Sequence, residues 1–131
     1  MIKGRNKMEN KRYNIAVIDD ESEVLSMIER FLARGDRYKV HTFSNPVTAL
    51  SHIENNFDVI LLDIMMPQMN GLDVLEKIMA KNPNQKVIMM TAFSTLDKVL
   101  KSHKYGAIHY LMKPFDSLES LERKITEVIN S

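Results

Sequence analysis

The chain has no cysteine and no tryptophan among its 131 residues, and only four glycines and four prolines. Without cysteine there is no disulfide framework, no thiolate nucleophile and no thiolate metal site. That composition fits a reducing compartment and predicts a cytoplasmic protein. A dominant charge sign is also missing. Eighteen Lys and Arg stand against seventeen Asp and Glu, a net charge of +1, so no strong field directs the chain to nucleic acid or a membrane surface. No apolar run approaches the roughly 18 residues that a membrane span needs. The opening stretch MIKGRNKMENKR lacks the apolar segment of a secretory signal. There is no internal repeat and no low-complexity segment. What is present is enough chain for one domain with a real core.

Residues 1–12 read as a basic, solvated leader rather than an arm for an anionic partner, with Met8 as an alternative start. Residues 13–131 read as a single domain. Asn14 to Asp19 (NIAVID) is a short buried strand that runs into three acids, Asp19, Asp20 and Glu21. One acid would satisfy the N-terminus of the next helix; three exceed that need. The helix carries Val24, Leu25, Ile28, Phe31 and Leu32 at helical spacing, and Gly35 suits its exit. Tyr38 to Phe43 (YKVHTF) alternates polar and apolar more than the other strands, which predicts a sheet edge. Asn45-Pro46 opens a second helix with Val47, Leu50 and Ile53 inward.

Phe57 to Gly71, FDVILLDIMMPQMNG, is the stretch around which the chain is organised. The unbroken apolar run Val59 to Leu62 reads as a strand buried on both faces, and it ends in one acid, Asp63. After Gly71 a helix turns Leu72, Leu75, Ile78 and Met79 inward, and Asn82-Pro83-Asn84 stops it. Lys86 to Thr91 (KVIMMT) is a buried strand ending in a hydroxyl. The next helix aligns Leu96, Val99, Leu100 and His103, the last read as a core residue, and Gly106 closes it. Ala107 to Met112 (AIHYLM) is the fifth strand, followed by Lys113-Pro114. The final helix shows Leu118, Leu121, Ile125, Val128 and Ile129 as an amphipathic stripe.

Five strands alternating with five helices predict an α/β fold: a doubly wound parallel sheet of flavodoxin-like (βα)5 type, strand order 2-1-3-4-5. In such sheets ligands bind outside the carboxyl ends of the strands. Four strand ends then bring Asp19 and Asp20, Asp63, Thr91 and Lys113 to one edge. Clustered carboxylates need a cation, and oxygen donors of this kind suit Mg²⁺. A lysine and a threonine hydroxyl beside them complete a set that fits a phosphoryl group, with a carboxylate as nucleophile.

These residues resemble the receiver domain of two-component response regulators from about Lys11 onward. The resemblance rests on DDE at Asp19 to Glu21, D-x-x-M-P-x-M-N-G from Asp63 to Gly71, TA at Thr91-Ala92, and KPF at Lys113 to Phe115. It implies that Asp63 is the phosphoacceptor, and that Asp20 and Asp63 bind Mg²⁺ with the Met65 carbonyl, Asp19 acting largely through water. It implies that Thr91 and the Ala92 amide hold phosphoryl oxygens, that Lys113 pairs with them, and that Tyr110 is the switch aromatic. The Lys113-Pro114 bond is expected to be cis. Met65 and Phe93 would border the approach of water to the phosphoryl group and make that state long-lived.

A flavodoxin-type module would need a Ser/Thr/Gly-rich loop after strand one, where DDESEV stands. A haloacid-dehalogenase phosphatase would need D-x-D on strand one. The expected role is therefore a phosphoacceptor signalling domain rather than an enzyme. Its phosphoryl donor would be a histidine kinase or histidine phosphotransfer protein, docking around the first helix and the loop after strand five. No membrane and no direct nucleic-acid contact are expected. The output would pass through the surface of helix four, strand five and helix five, with Lys98, Lys101 and Tyr105 as candidate contacts and a homodimer as one use of that surface. The final helix runs to Ser131 with no start of a linker, so two contexts stay open. One is a stand-alone regulator; the other is the receiver of a longer protein with a DNA-binding or ATPase output.

Overall fold

The computed structural model describes residues 11–53, 56–92 and 109–131. Along the chain these form β1 (Tyr13–Ile18), α1 (Ser22–Leu32), β2 (Tyr38–Phe43), α2 (Pro46–Leu50), β3 (Val59–Asp63), α3 (Gly71–Lys81), β4 (Val87–Ala92), β5 (His109–Lys113) and α4 (Leu118–Ile129). The expectations placed on residues 1–10 of the leader, on Phe93, Leu96, Lys98, Val99, Leu100, Lys101, His103, Tyr105 and Gly106, and on the start of the fifth strand lie outside the described residues.

The five strands form one sheet in the order β2-β1-β3-β4-β5, with every pairing parallel. The order matches the expectation, and β2, the strand with the most alternating pattern, is an edge. Each residue of β3 is buried, as a central parallel strand covered on both faces requires. Successive side chains point to opposite faces, so the sheet divides its apolar residues between two cores. Ile18, Ile60, Leu62 and Met89 pack with Ala49, Val74, Leu75 and Ile78 from α2 and α3. Val17, Leu61, Ile88 and Met90 pack with Leu25, Ile28 and Phe31 of α1 and Leu121, Ile125 and Val128 of α4.

Local capping explains where the helices begin. Asn45 Oδ1 accepts the Val47 N–H at 2.8 Å before the first-turn Pro46. Asn70 Oδ1 accepts the Leu72 N–H at 2.8 Å. Ser117 and Ser120 exchange side-chain-to-backbone bonds in a capping box at the start of α4. At its far end, Lys86 Nζ donates to the carbonyls of Ile129 and Ser131 at 3.0 and 3.1 Å. A cation there also complements the negative end of the helix.

Two local expectations fail. Gly35 does not end α1 in the left-handed conformation. Ala33 caps the helix with right-handed angles, and the Phe31 carbonyl accepts from both the backbone N–H and the Nε of Arg34. The last carbonyls are thus satisfied without a glycine. In α2, Val47 is 55% exposed, while Pro46 and Ala49 are buried. The helix is five residues long, and the proline fixed at its start sets the face that turns inward.

Candidate functional site at the carboxyl edge of the sheet

The strand register determines which residues meet. Ile18 lies opposite Leu62, Asp63 opposite Met90, and Ala92 opposite Lys113. The chain therefore leaves the sheet at Asp19, Asp63, Ala92 and Lys113 at nearly one level. Asp19, Asp20 and Asp63 each offer a carboxylate oxygen, and these oxygens lie within 4.8 Å of one another. Asp19 is fully buried and Asp63 is 5% exposed. Lys113 reaches across from β5. Its Nζ lies 2.5 Å from Asp19 Oδ2, 3.3 Å from Glu21 Oε1 and 3.4 Å from Asp63 Oδ1.

The electrostatics follow from this crowding. Burial raises the Asp63 carboxyl to about 6, and the Asp19 charge pushes the same way, while Lys113 opposes both. Burial by itself would lower Lys113. Its hydrogen bond to Asp19 and the charges of Asp63 and Asp19 outweigh that, and its pKa is raised. The Lys113 ammonium thus pairs with three carboxylates, those of Asp19, Asp63 and Glu21, and Asp20 adds a fourth to the cluster. Such a surplus of hard oxygen donors suits a small divalent cation such as Mg²⁺, so the residues present fit the ion expected from the sequence. Asp19 already has both oxygens engaged, Oδ1 by the Glu21 N–H at 2.9 Å and Oδ2 by Lys113.

The acid run is not spent on the helix. Glu21 is the N-cap residue of α1 and makes no side-chain capping bond. Glu21 was absent from the expected site, although the third acid in the run was its sequence signal. Thr91 is 2% exposed, and its hydroxyl donates to the Ala92 carbonyl at 3.2 Å. Tyr110 lies opposite Met89 and packs, half-buried, against the core shared with α3. Met65 is 53% exposed in the loop after Asp63. The Lys113-Pro114 bond is cis.

The same loop is closed by Gly71. Its N–H donates to the Ile64 carbonyl at 2.8 Å. A Cβ here would lie 2.6 Å from Ile64 Cα and 3.0 Å from the Asp63 carbonyl carbon. Only glycine lets the start of α3 lie against the backbone that carries Asp63. Beside the cluster, a cleft of about 390 Å³ is lined by Val24 and Met27 of α1, Pro114 and Phe115, with Glu21, Ala92 and Lys113 at its site end. Among the described residues no helix is long and apolar enough to cross a membrane.

A family model described as the response regulator receiver domain matches residues 15–126. The transcriptional regulatory protein MalR of Bacillus subtilis is 36% identical over 105 residues, covering 79% of this chain and 45% of MalR. The DNA-binding transcriptional regulator NtrC of Escherichia coli is 41% identical over 106 residues, covering 80% of this chain and 22% of NtrC. The chain thus spans less than half the length of these relatives. A response regulator receiver domain protein from Clostridium thermocellum superposes with a TM-score of 0.82 at 35% identity, covering 90% of this chain and 94% of that one.

Proposed function

Because this chain belongs to the response regulator receiver domains of two-component signalling, we propose that Asp63 is the residue on which its phosphoryl group is received. The observation that carries this reading is the cluster itself. A buried carboxylate at the end of the central strand lies 3.4 Å from a lysine and within reach of two further acids. In the reaction, an Asp63 oxygen attacks phosphorus, the bond from phosphorus to a donor imidazole nitrogen breaks, and the imidazole leaves. Above pH 6 Asp63 is largely ionised and ready to attack.

Asp20, Asp63 and the Met65 carbonyl would hold Mg²⁺ directly, and Asp19, with both oxygens engaged, largely through water. The bound ion supplies positive charge for the phosphoryl oxygens. Lys113 shifts part of its pairing from Asp19 and Asp63 to those oxygens. The Thr91 hydroxyl leaves the Ala92 carbonyl to bond another, and the Ala92 N–H bonds a third. Movement of Thr91 opens space that Tyr110 fills, which biases an existing equilibrium at β5 and the segments beside it. Apolar Met65 beside the site keeps hydrolysis slow. Labelling by radioactive acetyl phosphate tests the assignment. We expect stoichiometric label with Mg²⁺ that alkali or hydroxylamine releases, none in EDTA and none on Asp63→Asn. Persistent label on that variant rejects Asp63.

The phosphoryl donor in this reading is a histidine kinase or histidine phosphotransfer protein. It seats an apolar helix surface in the cleft of Val24, Met27 and Phe115 while its histidine faces Asp63. Met27→Glu places a charge in that cleft. We expect it to slow transfer from the protein donor roughly tenfold or more while leaving acetyl phosphate labelling near the parental rate. Equal loss in both assays would move the docking surface elsewhere. The output reading follows the relatives, in which a receiver-like segment forms a minority of a transcriptional regulator. A fused DNA-binding output, reached through β5 and its flanks and served by a homodimer there, is the context this favours over a separate protein target. The receiver itself then touches no nucleic acid.

A further inference from the structure

We propose that Met65 is an oxidation site through which a peroxide shortens the life of the phosphorylated state, an inference that rests on Asp63 as the phosphoacceptor. The chain holds ten methionines and no cysteine, so any two-electron oxidation at sulfur falls on thioethers. Exposure then selects among them. Met89 and Met90 are fully buried and Met66 is 8% exposed, whereas Met65 and Met112 are 53% and 38% exposed. Met27, Met69 and Met79 are intermediate. Among the described residues, the two exposed methionines both adjoin the acid cluster. Met112 precedes Lys113 and pairs with Thr91. Met65 follows Asp63 by two residues, a backbone span of at most about 7 Å.

The backbone just before Met65 is held through both polar groups of Ile64. The Ile64 N–H donates to the Met90 carbonyl, and the Ile64 carbonyl accepts from Gly71. Ile64 and Met66 are buried on either side of it. Met65 is thus exposed between two buried residues in the loop beside Asp63. A peroxide reacts there without unfolding the loop. The thioether sulfur attacks a peroxide oxygen, an S–O bond forms and the O–O bond breaks. Sulfur loses two electrons, and the leaving hydroxide takes a proton as water. The product carries a strong acceptor oxygen where an apolar group stood. A water hydrogen-bonded to that oxygen is held beside the phosphoryl group, and positioning of this kind is what an apolar Met65 denies it. Reduction of the sulfoxide by a dithiol-driven methionine sulfoxide reductase restores the parent state.

Purified full chain is phosphorylated with acetyl phosphate, treated with graded hydrogen peroxide, and followed by peptide mass and by loss of phosphate. We expect Met65 and Met112 to gain oxygen first. We expect phosphate loss to quicken roughly three- to tenfold, the range one added hydrogen bond supplies, and the reductase to reverse it. Met112→Leu should respond like the parent. Decay of Met65→Leu should not respond to peroxide, and Met65→Gln, which carries a fixed amide oxygen, should decay fast without it. Oxidation of Met27 or Met69 ahead of Met65, or complete Met65 sulfoxide with unchanged decay, overturns the inference. A chain that takes no phosphate before treatment overturns the Asp63 reading and the kinetic half with it, while the oxidation map still decides the chemical half.

Discussion

In EDTA at pH 8, Asp63→Asn is expected to unfold at a higher temperature than the parent. Burial and the nearby Asp19 raise the folded-state carboxyl to about 6 from 3.8. Between those values the folded chain holds more protons than the unfolded one. Stability therefore falls as pH rises through this window and stays low above it. That rise in the carboxyl pKa corresponds to roughly 3 kcal/mol. Asparagine removes the charge but keeps the shape, and Lys113 keeps Asp19 and Glu21 as partners. The variant should gain several degrees at pH 8, and the gain should vanish near pH 4, where the parent Asp63 is protonated. Saturating Mg²⁺ should shrink the gap, because the cation binds the folded parent more tightly than a variant lacking that carboxylate. Thermal melts at pH 4 and pH 8, with and without Mg²⁺, check all four corners. Equal melting temperatures in EDTA at pH 8 would place the electrostatic strain elsewhere. Such a cost is what a reaction site carries when its charges await a ligand.

The parts legible in the sequence were those with a short-range physical signature. Parallel strands buried on both faces read as apolar runs, so Val59 to Leu62 and Val87 to Met90 could be placed without tertiary information. Within those runs the polar residues at the strand ends were the conspicuous ones, which brought Asp19, Asp63, Thr91 and Lys113 together once the strand order was set. The inward face of the second helix was legible only in part: Leu50 and Ile53 pack in the core as expected, and Val47 does not. Ala49 carries little hydropathy signal, and Val47 at the same spacing as Leu50 pointed to a face that is in fact 55% exposed at Val47. The pairing of Glu21 with Lys113 spans ninety-two positions and has no periodicity to betray it. Gly71 was readable as the position where a helix starts. That its Cα lies against the backbone of Asp63 is a property of two elements meeting, which no local pattern records.

That meeting makes Gly71→Ala far more disruptive than its small size suggests. The added Cβ would stand 2.6 Å from Ile64 Cα and 3.0 Å from the Asp63 carbonyl carbon. These are backbone atoms, so no rotamer change relieves the contact. Either α3 moves away, breaking the bond from the Gly71 N–H to the Ile64 carbonyl, or the end of β3 moves and carries Asp63 with it. Overpacking of this kind costs about 3 kcal/mol, which for a domain of this size lowers the melting temperature by roughly 10 °C. The loss should extend to function, because a shift at Asp63 separates it from Asp20 and Lys113 and weakens divalent-cation binding and acetyl phosphate labelling together. Gly35→Ala is the matched control. A Cβ at Gly35 meets nothing within 4 Å, and its φ lies outside the left-handed range. Alanine there should be neutral or slightly stabilising, since it restricts the unfolded chain without straining the folded one. Thermal melts of both variants, read beside Mg²⁺ titration, decide the matter. If Gly71→Ala melted with the parent and bound Mg²⁺ as tightly, the helix would be shown to sit farther from Asp63 than this packing requires.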